Sequence, residues 1–379
     1  MTDQPIVDRI RRRLTAESAE PTPRSVADAL RAEQQVAGSS TVLRLVDQLR
    51  SETRGAGLLD PLLALPGVTD VLVNGPDDVY VDRGRGLERM TVRFDDDEAV
   101  RRLAQRLAAQ AGRRLDDASP WVDARLGDGT RLHAVLAPLA RPGTVISLRV
   151  PAARSFSLGG LRDAGSLTDD GLGLLRRLVS SRVAFLVTGG TGSGKTTLLS
   201  ALLAEVSPTE RIVVVEDATE LRPDHPHVVG LEARPANAEG AGLVTVRDLV
   251  RQALRMRPDR LVVGEVRGAE VVDLLAALNT GHEGGCGTVH ANSTADVPAR
   301  FEALGVAAGL PREAVHSQLA AGIDVVVHVG RDGSGRRCVE QVAVIVRTGD
   351  VVSCVPAVTF RDGRSVEGPG LDRLGQVVR

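Results

Sequence analysis

Eight consecutive residues concentrate the chemistry of this 379-residue chain: Gly189, Gly190, Thr191, Gly192, Ser193, Gly194, Lys195 and Thr196. They follow the pattern G-x-x-x-x-G-K-[ST] and lie between the apolar run from Val183 to Val187 and a helix-forming run from Thr197 to Leu203. A strand before and a helix after are the context in which such a loop binds phosphate. The glycines let the backbone aim its N–H groups at one point, and the positive end of the following helix dipole faces the same point. Lys195 then reaches the β- and γ-phosphates, and the Thr196 hydroxyl reaches a Mg²⁺ ion. Among 47 basic residues Lys195 is the only lysine. A compact ammonium and a planar guanidinium are not interchangeable in a phosphate cradle. The stretch reads as a nucleoside-triphosphate site. The Asn-Lys-x-Asp signature of guanine recognition cannot occur in a chain whose sole lysine is Lys195.

Hydrolysis of a γ-phosphate needs one carboxylate to position or deprotonate water and another to support the magnesium shell. Two buried-strand patterns end in such groups. Arg211 to Val215 leads to Glu216 and Asp217, with Glu220 one helical turn later, and Leu261 to Val263 leads to Gly264 and Glu265. Glu265 is expected near the metal together with Thr196, while the choice of base between Glu216 and Glu265 stays open. His290, after the short run from Cys286 to Val289, suits a hydrogen-bonding sensor of phosphate. The nearby His282-Glu283 is not a zinc motif, because H-E-x-x-H would need histidine at Cys286 and the surrounding glycines oppose a helix. Arg125 and Arg131 flank the turn Gly127-Asp128-Gly129 and are candidates for stabilising charge on the γ-phosphate. The dense run Arg255-Met256-Arg257-Pro258-Asp259-Arg260 is either a solvated face or a contact to phosphate or a neighbouring subunit.

The elements that must position these groups follow from the patterning. Residues 1–57 read as a polar helical extension. Residues 58–150 read as a small α+β domain: strands at Thr69–Pro76, Val79–Asp82, Trp121–Leu126, Arg131–Leu136 and Thr144–Val150, with one helix from Glu98 to Ala111. Residues 151–160 read as a linker. From Leu161 to Thr348 strands and helices alternate, which predicts a mostly parallel sheet covered on both faces. Its strands are expected at Val183–Thr188, Arg211–Glu216, Arg260–Glu265, Cys286–Val289, Ile323–Val329 and Val339–Val346. Ligands of such sheets bind at the carboxyl ends of the strands. Residues 349–379 read as a tail.

Composition sets the wider limits. A formal charge of −2 and 2% aromatic residues argue against nucleic acid as a partner. Three scattered cysteines fit a reducing compartment. No apolar run nears the roughly 18 residues that cross a bilayer, so a cytoplasmic location is expected.

Eight motifs in order then carry a resemblance: VTDVLVNGPDDVYV, RLGDGTRLHAV, ISLRVP, GGTGSGKTT, VVVEDATEL, RDLVRQALRMRPDRLVVGEVRG, LLAALNTGHEGG and GTVHANS. From about Leu58 to Val346 the chain resembles the type II/IV secretion ATPases, especially the motors of tight-adherence (Flp/Tad) pilus assembly. The resemblance implies a RecA-like P-loop domain after a smaller α+β domain, with ATP and Mg²⁺ as cofactors. It also implies a homo-hexameric ring, peripheral at the inner face of the cytoplasmic membrane, that drives membrane platform proteins and, through them, pilin. It makes 189–196, continued by Thr197, the Walker A element; Glu216, Asp217 and Glu220 an acidic box; Glu265 the end of Walker B; and His290 part of a histidine box. Arg125, Arg131 and Arg149 match positions of nucleotide-contacting arginines. Conjugative or effector-exporting type IV ATPases and DNA-handling motors share the fold and remain alternatives.

Overall fold

The computed structural model describes residues 9–10, 12–14, 22–33, 38, 41–43, 45–46, 55–84, 86–151, 156–236, 240–281, 283–361 and 363–378. The chain forms two compact units, Met1–Ala152 and Ala153–Arg379. His282 and much of the helical extension expected at residues 1–57 lie outside the described residues.

In the first unit, Pro23–Ala32 is a helix whose N-cap Thr22 and Ser25 bond reciprocally, and it packs Val26, Ala29 and Leu30 against Ile10, Leu14, Leu45 and Val46. The remainder is an antiparallel sheet in the order β3-β2-β1-β6-β5-β4. Its strands are β1 (Asp70–Asn74), β2 (Val79–Asp82), β3 (Leu87–Arg89), β4 (Trp121–Arg125), β5 (Arg131–Val135) and β6 (Val145–Arg149). Alternation along each strand sends Val71, Val73, Val79, Val81, Val122, Leu132, Ile146 and Leu148 into one core. The helix Asp97–Gln110, capped by Asp96, covers that face with Val100, Leu103, Ala104 and Leu107. The other face of the sheet mixes polar residues such as Asp123, His133 and Ser147 with Leu72, Trp121, Val135 and Val145.

The second unit holds a sheet in the order β15-β14-β13-β12-β7-β11-β10-β8-β9. The strands are β7 (Phe185–Thr188), β8 (Ile212–Glu216), β9 (Val228–Glu232), β10 (Arg260–Val266), β11 (Cys286–Val289), β12 (Val325–Arg331), β13 (Arg337–Thr348), β14 (Val351–Arg361) and β15 (Arg364–Glu367). From β9 through β12 neighbouring strands run parallel; β13, β14 and β15 are antiparallel additions. One apolar layer joins the sheet to helices Leu158–Asp163, Asp169–Ser180, Lys195–Leu203 and Leu371–Val377. A second layer joins it to helices Val246–Ala253, Glu270–Leu278, Val297–Ala307 and Arg312–Gly322.

Three expectations need correction. Residues 349–379 are not a separate tail: β14 pairs with β13 from Gln341 to Thr348, and Val352, Ala357, Val358, Phe360 and Leu374 enter the two apolar layers. The expected linker 151–160 already contains the start of helix Leu158–Asp163, which is capped by Ser157. Glu220 does not follow Glu216 by a helical turn; the segment after β8 is irregular, and the Glu216 carboxylate itself shapes it.

Candidate nucleotide site

β7 is buried along its whole length and delivers the chain to Gly189 at the carboxyl edge of the sheet. Gly189, Gly192 and Gly194 have φ of 155°, 68° and 102°, and the helix Lys195–Leu203 starts directly from Gly194. At Gly189 a Cβ would collide with the Val329 carbonyl and come within 2.6 Å of Ser193 Oγ. Only glycine fits there, which explains the residue type by close approach as well as by backbone angle. Lys195 is half-buried, and its Nζ donates to the carbonyls of Gly189 and Gly190 at 3.0 Å each. Burial holds its pKa below the usual lysine value, with the Glu265 carboxylate opposing that shift. Ser193 Oγ is buried without a hydrogen-bond partner.

Parallel pairing in the order β12-β7-β11-β10-β8 brings the carboxyl ends of these strands side by side. Glu216 ends β8 and is buried, with Oε1 accepting from the amides of Glu220 and Leu221 at 3.0 Å each. Burial pushes its carboxyl up to about 7, although those two amides favour the charged form. Thr196 Oγ1 donates to Glu220 Oε2 at 3.4 Å, which ties the first helical residues to the loop after β8. Glu265, near the end of β10, is half-buried and bonded to Arg267. Arg267 is held protonated first by its bond to Glu265, with the charges of Asp217 and Glu220 acting in the same direction. Asp217 and Glu220 are exposed, and His290 is half-buried just past β11.

Several supporting groups were not legible from residue type alone. Thr288 Oγ1 donates to the Gly264 carbonyl at 2.7 Å, fixing β10 against β11 just before Glu265. Glu270 Oε1 accepts from the amides of Arg267 and Gly268 at 2.6 and 2.8 Å, so it sets the turn that aims Arg267. His328 on β12 pairs in register with Thr188; its Nδ1 is buried without a partner, and burial lowers its pKa. His328, Thr294, Asn292, Gln341 and Arg336 help line a cleft of about 880 Å³. The signal for His328 would have been a histidine inside an apolar strand next to the loop strand.

Arg260 does not belong to the phosphate end. It starts β10, five residues before Glu265, is 2% exposed, and its Nε donates to Glu210 Oε2 at 2.7 Å while Nη2 donates to the Val179 carbonyl at 2.9 Å. Arg255 and Arg257 are exposed. His225 and His227 are tied into their loop: His225 Nε2 bonds to the Ser207 carbonyl at 3.0 Å, and His227 Nε2 to Arg211 Nη1 at 2.9 Å.

In the first unit, strand register aligns Arg125 with Arg131 and Arg131 with Arg149, and Arg149 with Asp70 on β1. The three arginines therefore occupy one cross-strand row on the face opposite the core. Arg149 Nε donates to Asp70 Oδ1 at 3.0 Å, and Arg131 Nη2 lies 3.5 Å from Asp123 Oδ2. Like charges directly opposite each other destabilise a sheet; here Asp70 and Asp123 stand beside the row and offset part of that repulsion.

The donor set suits a triphosphate: an open nest of backbone N–H groups, a desolvated ammonium and a threonine hydroxyl at a helix start. Among the described residues no group of three or more His, Cys, Asp and Glu side chains is arranged to hold a metal unaided. A magnesium ion fits only if phosphate oxygens complete its shell, as is usual for that ion.

Comparison with known proteins shows the family. A family model described as "Type II/IV secretion system protein" matches residues 52–365. A Mycobacterium tuberculosis protein named for conjugal transfer is 61% identical over 343 residues, covering 89% of this chain and 97% of its own. The type IV secretion system protein VirB11 of Brucella suis is 32% identical over 317 residues, covering 74% of this chain and 87% of its own. Among solved structures, the pilus retraction motor PilT with bound ADP aligns with a TM-score of 0.56 at 23% identity, covering 77% of this chain and 83% of that one. The Legionella pneumophila ATPase DotB aligns at 0.53 and 20% identity, covering 78% and 80%. These structural likenesses concern the RecA-like fold. With the glycine loop, the carboxylates at the ends of β8 and β10 and a match across most of its length, the chain belongs to the type II/IV secretion system protein family.

Proposed function

We propose that the protein is an ATP-hydrolysing motor of a type II/IV secretion machine, working in Flp/Tad-type pilus assembly as a homo-hexameric ring on membrane platform proteins. The observation that carries this reading is the glycine loop between buried β7 and the helix Lys195–Leu203, with the half-buried Lys195 ammonium folded back onto the Gly189 and Gly190 carbonyls. The loop N–H groups and Lys195 bind the phosphates, displacing the ammonium from the Gly189 and Gly190 carbonyls it now caps. Thr196, supported by Glu220, and Glu265 stand where a magnesium ion would be held. When bound, that ion neutralises charge on the phosphate oxygens. Glu265 is the better water-orienting carboxylate, because Glu216 commits Oε1 to two backbone amides. Glu216 is then a positioning residue for the loop carrying Asp217 and Glu220. His290 senses the phosphate, and Arg125, Arg131 and Arg149 are the first unit's candidates for contacting nucleotide.

A second reading, transport in conjugation, is favoured by the names of the relatives. Both readings place the protein at a membrane through partners; among the described residues no helix is long and apolar enough to cross one.

The test is ATP binding and turnover by Lys195→Ala. Both should be lost, by more than about a hundredfold for turnover, as expected when a phosphate-stabilising charge is removed. Unchanged turnover would remove the site from this loop.

A further inference from the structure

The side of the phosphate loop facing β12 is contacted by the hairpin formed by the end of β12 and the start of β13. Three points of the loop meet it. Gly189 presses so closely on the Val329 carbonyl that no side chain fits between them. Arg331, the last residue of β12, reaches Gly192: its Nη2 donates to the Gly192 carbonyl at 3.3 Å, while its Nη1 donates to the Gly335 carbonyl of its own hairpin at 2.8 Å. The Arg337 side chain comes within 3.5 Å of the position a Cβ on Gly194 would occupy.

The hairpin tip is itself rigidly built around Asp332. Its Oδ1 accepts from the amides of Ser334 and Arg336 at 2.9 and 3.0 Å, and its Oδ2 accepts from Arg336 Nε at 3.1 Å. Across the turn, the Asp332 amide donates to the Arg336 carbonyl at 2.9 Å and the Gly335 amide to the Asp332 carbonyl at 2.8 Å. These bonds fix the Gly335 carbonyl, and that carbonyl fixes one arm of the Arg331 fork. A planar guanidinium held at one end presents its other donor in a set direction.

We propose that this hairpin is a brace in cis for the phosphate loop and that Arg331 is its positioning residue. Held through Gly192, the loop keeps its N–H groups aimed at one point before any ligand arrives, so less ordering remains to be done on binding. The same hairpin lines the cleft through Asp332, Arg336, Cys338 and Glu340. Filling the cleft and shaping the loop therefore act on one element. The inference rests on the nucleotide reading above.

The experiment measures fluorescent ADP binding and steady-state ATP turnover for the full chain and for Arg331→Ala, Arg331→Lys, Asp332→Ala and the double variant Arg331→Ala/Asp332→Ala. Arg331→Ala should weaken ADP binding and raise KM by about tenfold, the worth of a charge-assisted hydrogen bond, with kcat changed less than about twofold. Lysine, which cannot span both carbonyls, should restore only part of the affinity. Asp332→Ala touches no atom of the phosphate loop, yet it should reproduce the Arg331→Ala loss. The double variant should be no worse than either single one, because both act through one path. Wild-type affinity in Arg331→Ala, or losses that add in the double variant, would overturn the brace. A wild-type protein that binds no nucleotide would instead overturn the reading on which it rests.

Discussion

Glu216 shows how far one side chain's surroundings can set its behaviour. Burial raises its carboxyl from 4.5 to about 7. Below about pH 4.5 the group is protonated in folded and unfolded chains alike. As pH rises toward 7 the unfolded chain releases the proton while the fold retains it, so the fold loses stability by up to ~3 kcal/mol. Glu216→Gln cannot ionise and can still accept from the Glu220 and Leu221 amides. Its advantage over wild type in thermal midpoint should therefore grow between pH 5 and pH 8, and a constant difference would show that Glu216 carries no such burial cost. The place of Lys195 at the start of a helix was legible from the sequence because the glycines before it marked the turn out of β7. Arg267 and His328 were not, since an arginine after a strand and a histidine within one have many uses until their partners are seen.

The strands were legible to within a few residues where both faces are buried, because an unbroken apolar run has few other uses. β9 was missed: it is an edge strand, only partly buried, and its Pro-flanked approach reads as loop. β14 was missed because Pro356 interrupts it, yet Pro356 sits beside an irregularity in the register with β13, where a proline is tolerated. Between β8 and β10 the decisive residue is Gly264, where a Cβ would stand 2.5 Å from Glu216 Cγ. Gly264→Ala should destabilise the second unit by about 1–3 kcal/mol, the usual cost of overpacking. Adding Glu216→Ala should recover much of that loss, which a double-mutant cycle by denaturant unfolding would register. At the opposite end of β10, Arg260→Ala would leave Glu210 to Arg182, whose Nη2 lies 3.3 Å from Oε2, and should cost about 1–3 kcal/mol, readable in the same unfolding measurement.

At the scale of the whole molecule, the second unit does not end where its family-like motifs end. Because β14, β15 and the helix Leu371–Val377 complete its apolar layers, a chain stopped at Thr348 should fail to show a cooperative thermal transition for that unit. A normal transition would restore the tail reading. The first unit presents its three arginines in one row rather than scattering them, and only strand register could reveal that juxtaposition. The central claim is that Glu265 serves hydrolysis at a site where Lys195 binds ATP. A single-turnover measurement on Glu265→Gln tests it most directly. The account predicts ATP bound as tightly as by wild type but cleaved at least about a hundredfold more slowly, the scale of a lost general base; cleavage at the wild-type rate would contradict it.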